Sequence, residues 1–145
     1  MSTVLIVDDE PRIREFLARW LAPAGYDVRE APDAESALAM VATDPPDVLL
    51  CDVQMPGHGG LWLVEQLRER FPAVAIVLAT ADDALPPGVS LKDGVVDYLV
   101  KPFDKHRVLA ALSRAVEWRK TSATREGRQT GPGDPLEEWL GNGRK

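Results

Sequence analysis

Apolar runs that stop at a polar residue punctuate the chain. Val4 to Val7 ends at Asp8 and Asp9, the stretch DVLLCD ends at Asp52, Val74 to Leu78 leads to Thr80, and Tyr98 to Val100 precedes Lys101 and Pro102. Short continuous apolar runs rich in β-branched residues suit strands buried on both faces. Tyr26 to Ala31 predicts a further strand, second in order.

Between these runs the apolar period changes from that of a strand to that of a helix. After Pro11, well placed at a helix start, Ile13, Phe16, Leu17, Trp20 and Leu21 recur as one face of a helix that ends near Gly25. Asp33 predicts the cap of a second helix, with Ala34, Ala37, Leu38 and Val41 inward and Pro45 and Pro46 closing it. The loop holding Pro56, Gly57, Gly59 and Gly60 leads to a third helix, whose expected buried face is Leu61, Val64, Leu67 and Phe71 before Pro72 breaks it. Between Asp82 and Gly94, Pro86, Pro87 and Gly88 leave room for only one or two helical turns. Asp104 predicts the cap of a final helix with Val108, Leu109, Leu112, Ala115 and Val116 on its core side.

Strand and helix alternate throughout, which predicts an α/β fold: a doubly wound five-stranded parallel sheet with helices on both faces. The strand order expected is the flavodoxin-like 2-1-3-4-5. In such a sheet, ligands bind beyond the carboxyl ends of the strands, at the switch point between the first and third. Residues 1–120 form the expected domain. From Thr121 the text turns to Ser, Thr, Arg, Gly and Pro, which reads as a polar tail or linker over 121–145. Asp134, Pro135 and Glu137 give a helix-start signature running into Trp139 and Leu140, so a short helix over 134–140 is expected, too short to stand alone.

Composition narrows the possible functions. A chain of 145 residues, 45% hydrophobic, fits one domain with an adequate core. Its net charge of −6 and pI near 4.9 oppose general affinity for polyanions, so no direct nucleic-acid binding is expected. The single cysteine, Cys51, lies in an apolar run where a reduced buried thiol is the ordinary state, which points to a cytoplasmic protein. The apolar stretch at the N-terminus is too short for a signal segment or a membrane span.

The chemistry should come from the residues that end strands: Asp8 and Asp9 after the first, Asp52 after the third, Thr80 after the fourth and Lys101 after the fifth. Three carboxylates in one cleft repel one another unless a hard cation bridges them, and Mg²⁺ prefers such oxygen ligands. With a cation and Lys101 to stabilise charge on transferred oxygens, and a Thr80 hydroxyl to donate, one carboxylate becomes a nucleophile toward phosphorus. His58 and His106 read as surface histidines, since neither has partner ligands nearby in sequence.

In these residues the chain resembles the receiver domain family of two-component response regulators, the CheY-like family, over roughly Thr3 to Arg119. The resemblance implies that Asp8 and Asp9 are metal-binding acids and that Asp52 is the phospho-acceptor and a further metal ligand. It implies that the backbone carbonyl of Gln54 is also a ligand to Mg²⁺, that Thr80 and Tyr98 are the switch hydroxyl and aromatic, and that Lys101 with Pro102 is the site lysine and its following proline. The implied partners are a sensor histidine kinase or phosphotransfer protein upstream and a protein target or output domain downstream.

The sequence departs from that pattern in three places. Gly59 stands where the family usually has an aspartate, which predicts a looser loop. Trp62 stands where a polar residue is common, so it either presents an exposed contact or packs sideways under a neighbouring loop. Pro86 and Pro87 fall in the fourth helix, part of the face many members use to dimerise, so a monomer is expected. Three other functions fit the sequence less well. A haloacid dehalogenase-type phosphohydrolase would carry a second aspartate where Gln54 stands, and a flavodoxin-like cofactor carrier would have a Gly-rich loop where Asp8 and Asp9 stand. A receiver-like module that binds partners without phosphorylation would not need the full set of site residues.

Overall fold

The strands are β1 (Thr3–Val7), β2 (Asp27–Ala31), β3 (Val48–Asp52), β4 (Ala75–Thr80) and β5 (Val95–Val100), paired in parallel in the order β2-β1-β3-β4-β5. The computed structural model describes residues 1–81 and 94–128, with side chains as far as Thr121. The helices within those residues are α1 (Pro11–Leu21), α2 (Ala34–Thr43), α3 (Gly60–Arg70) and α4 (Lys105–Arg128). The expected doubly wound sheet and its strand order are therefore present.

Burial explains why the apolar runs were so distinct. Every residue of β3 and β4 is buried, whereas β2, at the edge of the sheet, buries only Ala31 fully. One core packs α2 and α3 against Leu5, Val7, Leu49, Cys51, Ile76 and Leu78. The other packs α1 and α4 against Val4, Ile6, Val48, Leu50, Val77 and Leu99. The predicted caps form: the Asp33 carboxylate accepts from the Ser36 N–H at 2.7 Å, and that of Asp104 accepts from the Arg107 N–H at 3.1 Å. Pro11 occupies the first turn of α1, and Gly25 takes the positive φ of 100° that the turn into β2 requires.

Several expectations need correction. Phe16 is 46% exposed, because Leu17 and Leu21 take the inward line of α1; Phe16 lies instead against Trp20 with ring centroids 4.6 Å apart. In α3 the buried stripe is Gly60, Leu63, Val64 and Leu67, while Leu61 and Phe71 are only partly buried. Gly60 sets that stripe, since it touches β3 and the residues three, four and seven positions on share its face. Strand β5 begins at Val95, ahead of Tyr98, and a register shift between Ile76 and Val77 absorbs Val96 as an extra residue.

Helix α4 runs on to Arg128, past Thr121 where the polar stretch begins. Ser, Thr and Arg change solubility there without breaking a helix, and no proline occurs before Pro132. The segment with Pro86 and Pro87 and the helix expected over 134–140 lie outside the described residues.

Strand β5 is tied to α4 by charge. Arg107 forks onto Asp97 at 2.8 and 2.9 Å and donates to the Tyr98 carbonyl at 2.9 Å, the Tyr98 N–H donates to Asp97 at 2.8 Å, and Arg114 also pairs with Asp97. The Arg107 hydrogen bonds hold the Asp97 carboxyl well below the usual carboxylate range, against the opposing effect of burial.

The corrected face of α3 is testable by truncation. Leu63→Ala should cost about 2–5 kcal/mol in a denaturant melt, as expected for a fully buried leucine, and Leu61→Ala clearly less. Equal losses would mean that the helix faces the sheet as the sequence pattern alone suggested.

Candidate functional site

The register of the sheet brings the strand-end residues together. Val7 pairs with Cys51 across β1 and β3, so Asp8 and Asp52 emerge side by side. Asp52 pairs with Ala79 across β3 and β4, and Thr80 with Val100 across β4 and β5, so Lys101 follows directly beside Thr80; its N–H donates to the Thr80 carbonyl at 2.9 Å. Asp8, Asp52 and Thr80 are the buried polar side chains among the described residues. Lys101 reaches back over them: Nζ lies 3.1 Å from Asp8 Oδ2 and 3.2 Å from Asp52 Oδ2, and the peptide bond to Pro102 is cis.

The remaining carboxylate oxygens are held by backbone. Asp8 Oδ1 accepts from the Glu10 N–H at 2.9 Å, and Asp52 Oδ1 accepts from the Gln54 N–H at 3.1 Å. Asp9 is exposed at the rim. One oxygen from each of Asp8, Asp9 and Asp52 falls within 4.8 Å of the others. An all-oxygen carboxylate set of this size suits a hard divalent cation of the Mg²⁺ type, which also accepts water in its remaining positions.

Electrostatics favours the two ends of the lysine contact unequally. Burial pushes the Asp52 carboxyl above its ordinary range, and the neighbouring Asp8 charge adds to this; the Gln54 N–H and Lys101 offset only part. Burial opposes charge on Lys101 too, but its hydrogen bond to Asp8 and the Asp52 charge outweigh that and raise its pKa. One ammonium thus answers two buried carboxylates. Cys51, buried next to Asp52, is pushed up by burial and by both acids, so it stays a thiol and takes no part in acid–base chemistry.

Gly59 and Gly60 draw the following loop inward. A Cβ on Gly60 would sit 2.5 Å from the Asp52 carbonyl oxygen, and one on Gly59 would sit 2.8 Å from that of Val53. A larger residue at either position would meet backbone, so the loop runs close against the end of β3 there. Trp62 is partly buried, and His58 stacks on it at 4.0 Å with an interplanar angle of 12°, its Nε2 3.7 Å from Glu35. That is the sideways packing weighed for Trp62, and it gives His58 a packing role that its lone position in the sequence did not reveal. Tyr98 is partly buried on β5, two residues before Val100. Arg14, which no sequence motif singles out, places its guanidinium against the Asp8 carbonyl.

Residues 4–113 match the response regulator receiver domain. The chain is 40% identical over 114 residues to the DNA-binding transcriptional regulator NtrC of Salmonella typhimurium, covering 78% of this chain and 24% of that protein. It is 42% identical over 110 residues to the response regulator MprA of Mycobacterium avium, covering 75% and 48%. It thus spans between about a quarter and a half of the curated relatives it matches. Among solved structures it is similar to the receiver domain of NtrX from Brucella abortus, with TM-score 0.72, 32% identity and 79% and 98% of the two chains covered. The chemotaxis protein CheY4 of Vibrio cholerae gives the same TM-score, identity and coverage.

Asp52 is buried as a charge at the end of β3. Its folded pKa is raised, so its contribution to stability is complete below the unfolded carboxylate value and is lost as pH rises through the folded value. In cation-free buffer Asp52→Asn should therefore melt above the parent at neutral pH, and the gap should close toward pH 4; thermal melts across that range check this, and a constant gap would contradict it. Gly60→Ala should cost about 1–3 kcal/mol in a denaturant melt, because its methyl group meets β3 backbone.

Proposed function

This chain belongs to the response regulator receiver family, the signalling modules of two-component systems, and we propose that it switches by accepting a phosphoryl group on Asp52. The observation that carries the proposal is the buried Asp52 carboxylate under Lys101, beside two further acids at the strand ends.

Asp8, Asp9 and Asp52, with the backbone carbonyl of Gln54, would hold Mg²⁺. Bound there, the ion supplies positive charge that lets acidic side chains and an incoming phosphoryl group share one cleft. The protein's own residues do the rest. The Asp52 carboxylate forms an O–P bond while the P–N bond of a phosphohistidine donor breaks, and the electron pair leaves with the imidazole, which takes a proton. Lys101 Nζ, already between the Asp8 and Asp52 oxygens, is placed to pair with the transferred oxygens. The Thr80 hydroxyl donates to the same oxygens, and its movement frees space for Tyr98, which shifts a two-state surface. Pro102 follows Lys101 and sets the chain's exit from the cleft.

The donor partner is a sensor histidine kinase or phosphotransfer protein, and the reader is a downstream protein or an output domain. The chain acts in the cytoplasm, as a monomer, without binding nucleic acid itself, and has no enzymatic role beyond its own phosphorylation and slow hydrolysis. The net charge of −6 supports the absence of nucleic-acid contact. Among the described residues no helix is long and apolar enough to cross a membrane. Residues 1–120 are the receiver unit and 121–145 a polar tail or linker, of which residues up to Arg128 continue α4.

Incubation with a small phosphodonor and Mg²⁺ should add one phosphoryl group, labile to hydroxylamine, as read by intact mass. Asp52→Asn should abolish the addition. Lys101→Ala should slow it by about a hundredfold or more, since a positioned charge in such a site contributes a few kcal/mol. The same label persisting in the Asp52 variant would refute the assignment.

A further inference from the structure

Arg14 projects from the first turns of α1 toward the site but does not enter it. Its side chain is only 16% exposed, unusual for an arginine on a surface helix. Its Nη1 donates to the Asp8 carbonyl oxygen at 2.6 Å, and its Nε donates to Glu30 Oε1 at 3.2 Å, at the end of β2. The Asp8 carbonyl belongs to the peptide unit that joins Asp8 to Asp9. The N–H of Asp8 is held by Ala31 at 3.2 Å, and its carboxylate by the Glu10 N–H and Lys101. The oxygen of the Asp8–Asp9 peptide is thus met by the Arg14 side chain. Asp9 is exposed, so its backbone decides where its carboxylate is presented.

We propose that Arg14 is the positioning residue of the acidic pair: it orients the Asp8–Asp9 peptide so that both carboxylates meet the same cation, and Glu30 in turn orients Arg14. The proposal rests on the reading of Asp8, Asp9 and Asp52 as a divalent-cation site. The guanidinium suits this role because its planar fork addresses two acceptors at once, a carbonyl on one side and a carboxylate on the other. A lysine ammonium reaches one of them well. Groups that orient metal ligands without touching the metal usually contribute 10–100-fold to affinity, which sets the size of the expected effect.

Calorimetric titration of Mg²⁺ into the full chain tests this. Arg14→Ala should weaken binding about tenfold or more, with Arg14→Lys and Glu30→Gln intermediate. With a small phosphodonor, the Mg²⁺ concentration for half-maximal rate should rise by the same factor in Arg14→Ala, while the rate at saturating Mg²⁺ stays within about twofold of the parent; a merely structural contact would not divide the effect in this way. Parent-like Mg²⁺ affinity in a folded Arg14→Ala protein overturns the proposal. If that variant does not fold by circular dichroism, parent-like affinity in both Arg14→Lys and Glu30→Gln overturns it instead. A parent chain that binds no Mg²⁺ overturns the cation reading, and this proposal with it.

Discussion

Two carboxylates are forced together at the carboxyl end of an open parallel sheet whose central strands are apolar, and the rest of the site answers that constraint. Once Val7 pairs with Cys51, Asp8 and Asp52 leave adjacent strands at one level, and burial of β3 denies Asp52 the water that would stabilise its charge. Every polar contact nearby compensates in part. The Glu10 and Gln54 N–H groups take one oxygen each, Lys101 spans the other two, and Arg14 meets the Asp8 carbonyl. The compensation is incomplete, which leaves the cleft poised for additional positive charge. Stability is given up locally where chemistry requires it, a common arrangement at functional sites.

That imbalance connects the site to the rest of the molecule through β4 and β5. Thr80 is buried at the end of β4, and Lys101 follows β5 with its N–H on the Thr80 carbonyl. Tyr98 sits on the same strand, its backbone gripped on both sides by Asp97 and Arg107. Strand β5 is thus firmly anchored to α4. On the proposed reading, a new charge at Asp52 acts beside a strand tied to α4, and the response runs through side chains that can change place.

Much of this was legible in the sequence because strands buried on both faces advertise themselves as apolar runs, and the residue that ends each run is the one the sheet delivers to the cleft. Asp8, Asp52, Thr80 and Lys101 were found by that logic alone. Helix faces were harder. Phe16 and Leu61 fit the apolar stripe as well as Leu17 and Leu63 do, and only docking against the sheet separates them. The tightness of Gly59 and Gly60 depends on the backbone of β3, which no local pattern records. Arg14 and Asp97 are charged residues in an already charged chain, and their partners lie 16 and 10 residues away. Helix α4 outruns the apolar pattern because Ser, Thr and Arg after Thr121 read as a polar tail yet do not break a helix.

If the acids at the strand ends form one cation site, its occupancy relieves their repulsion and stabilises the native state. The most direct measurement is the thermal midpoint of the parent protein as a function of Mg²⁺ at constant ionic strength. At one hundred times the dissociation constant the native state should gain about 2.7 kcal/mol, seen as a saturable rise in midpoint. A midpoint indifferent to Mg²⁺, or one that rises equally with a monovalent salt, would contradict the account.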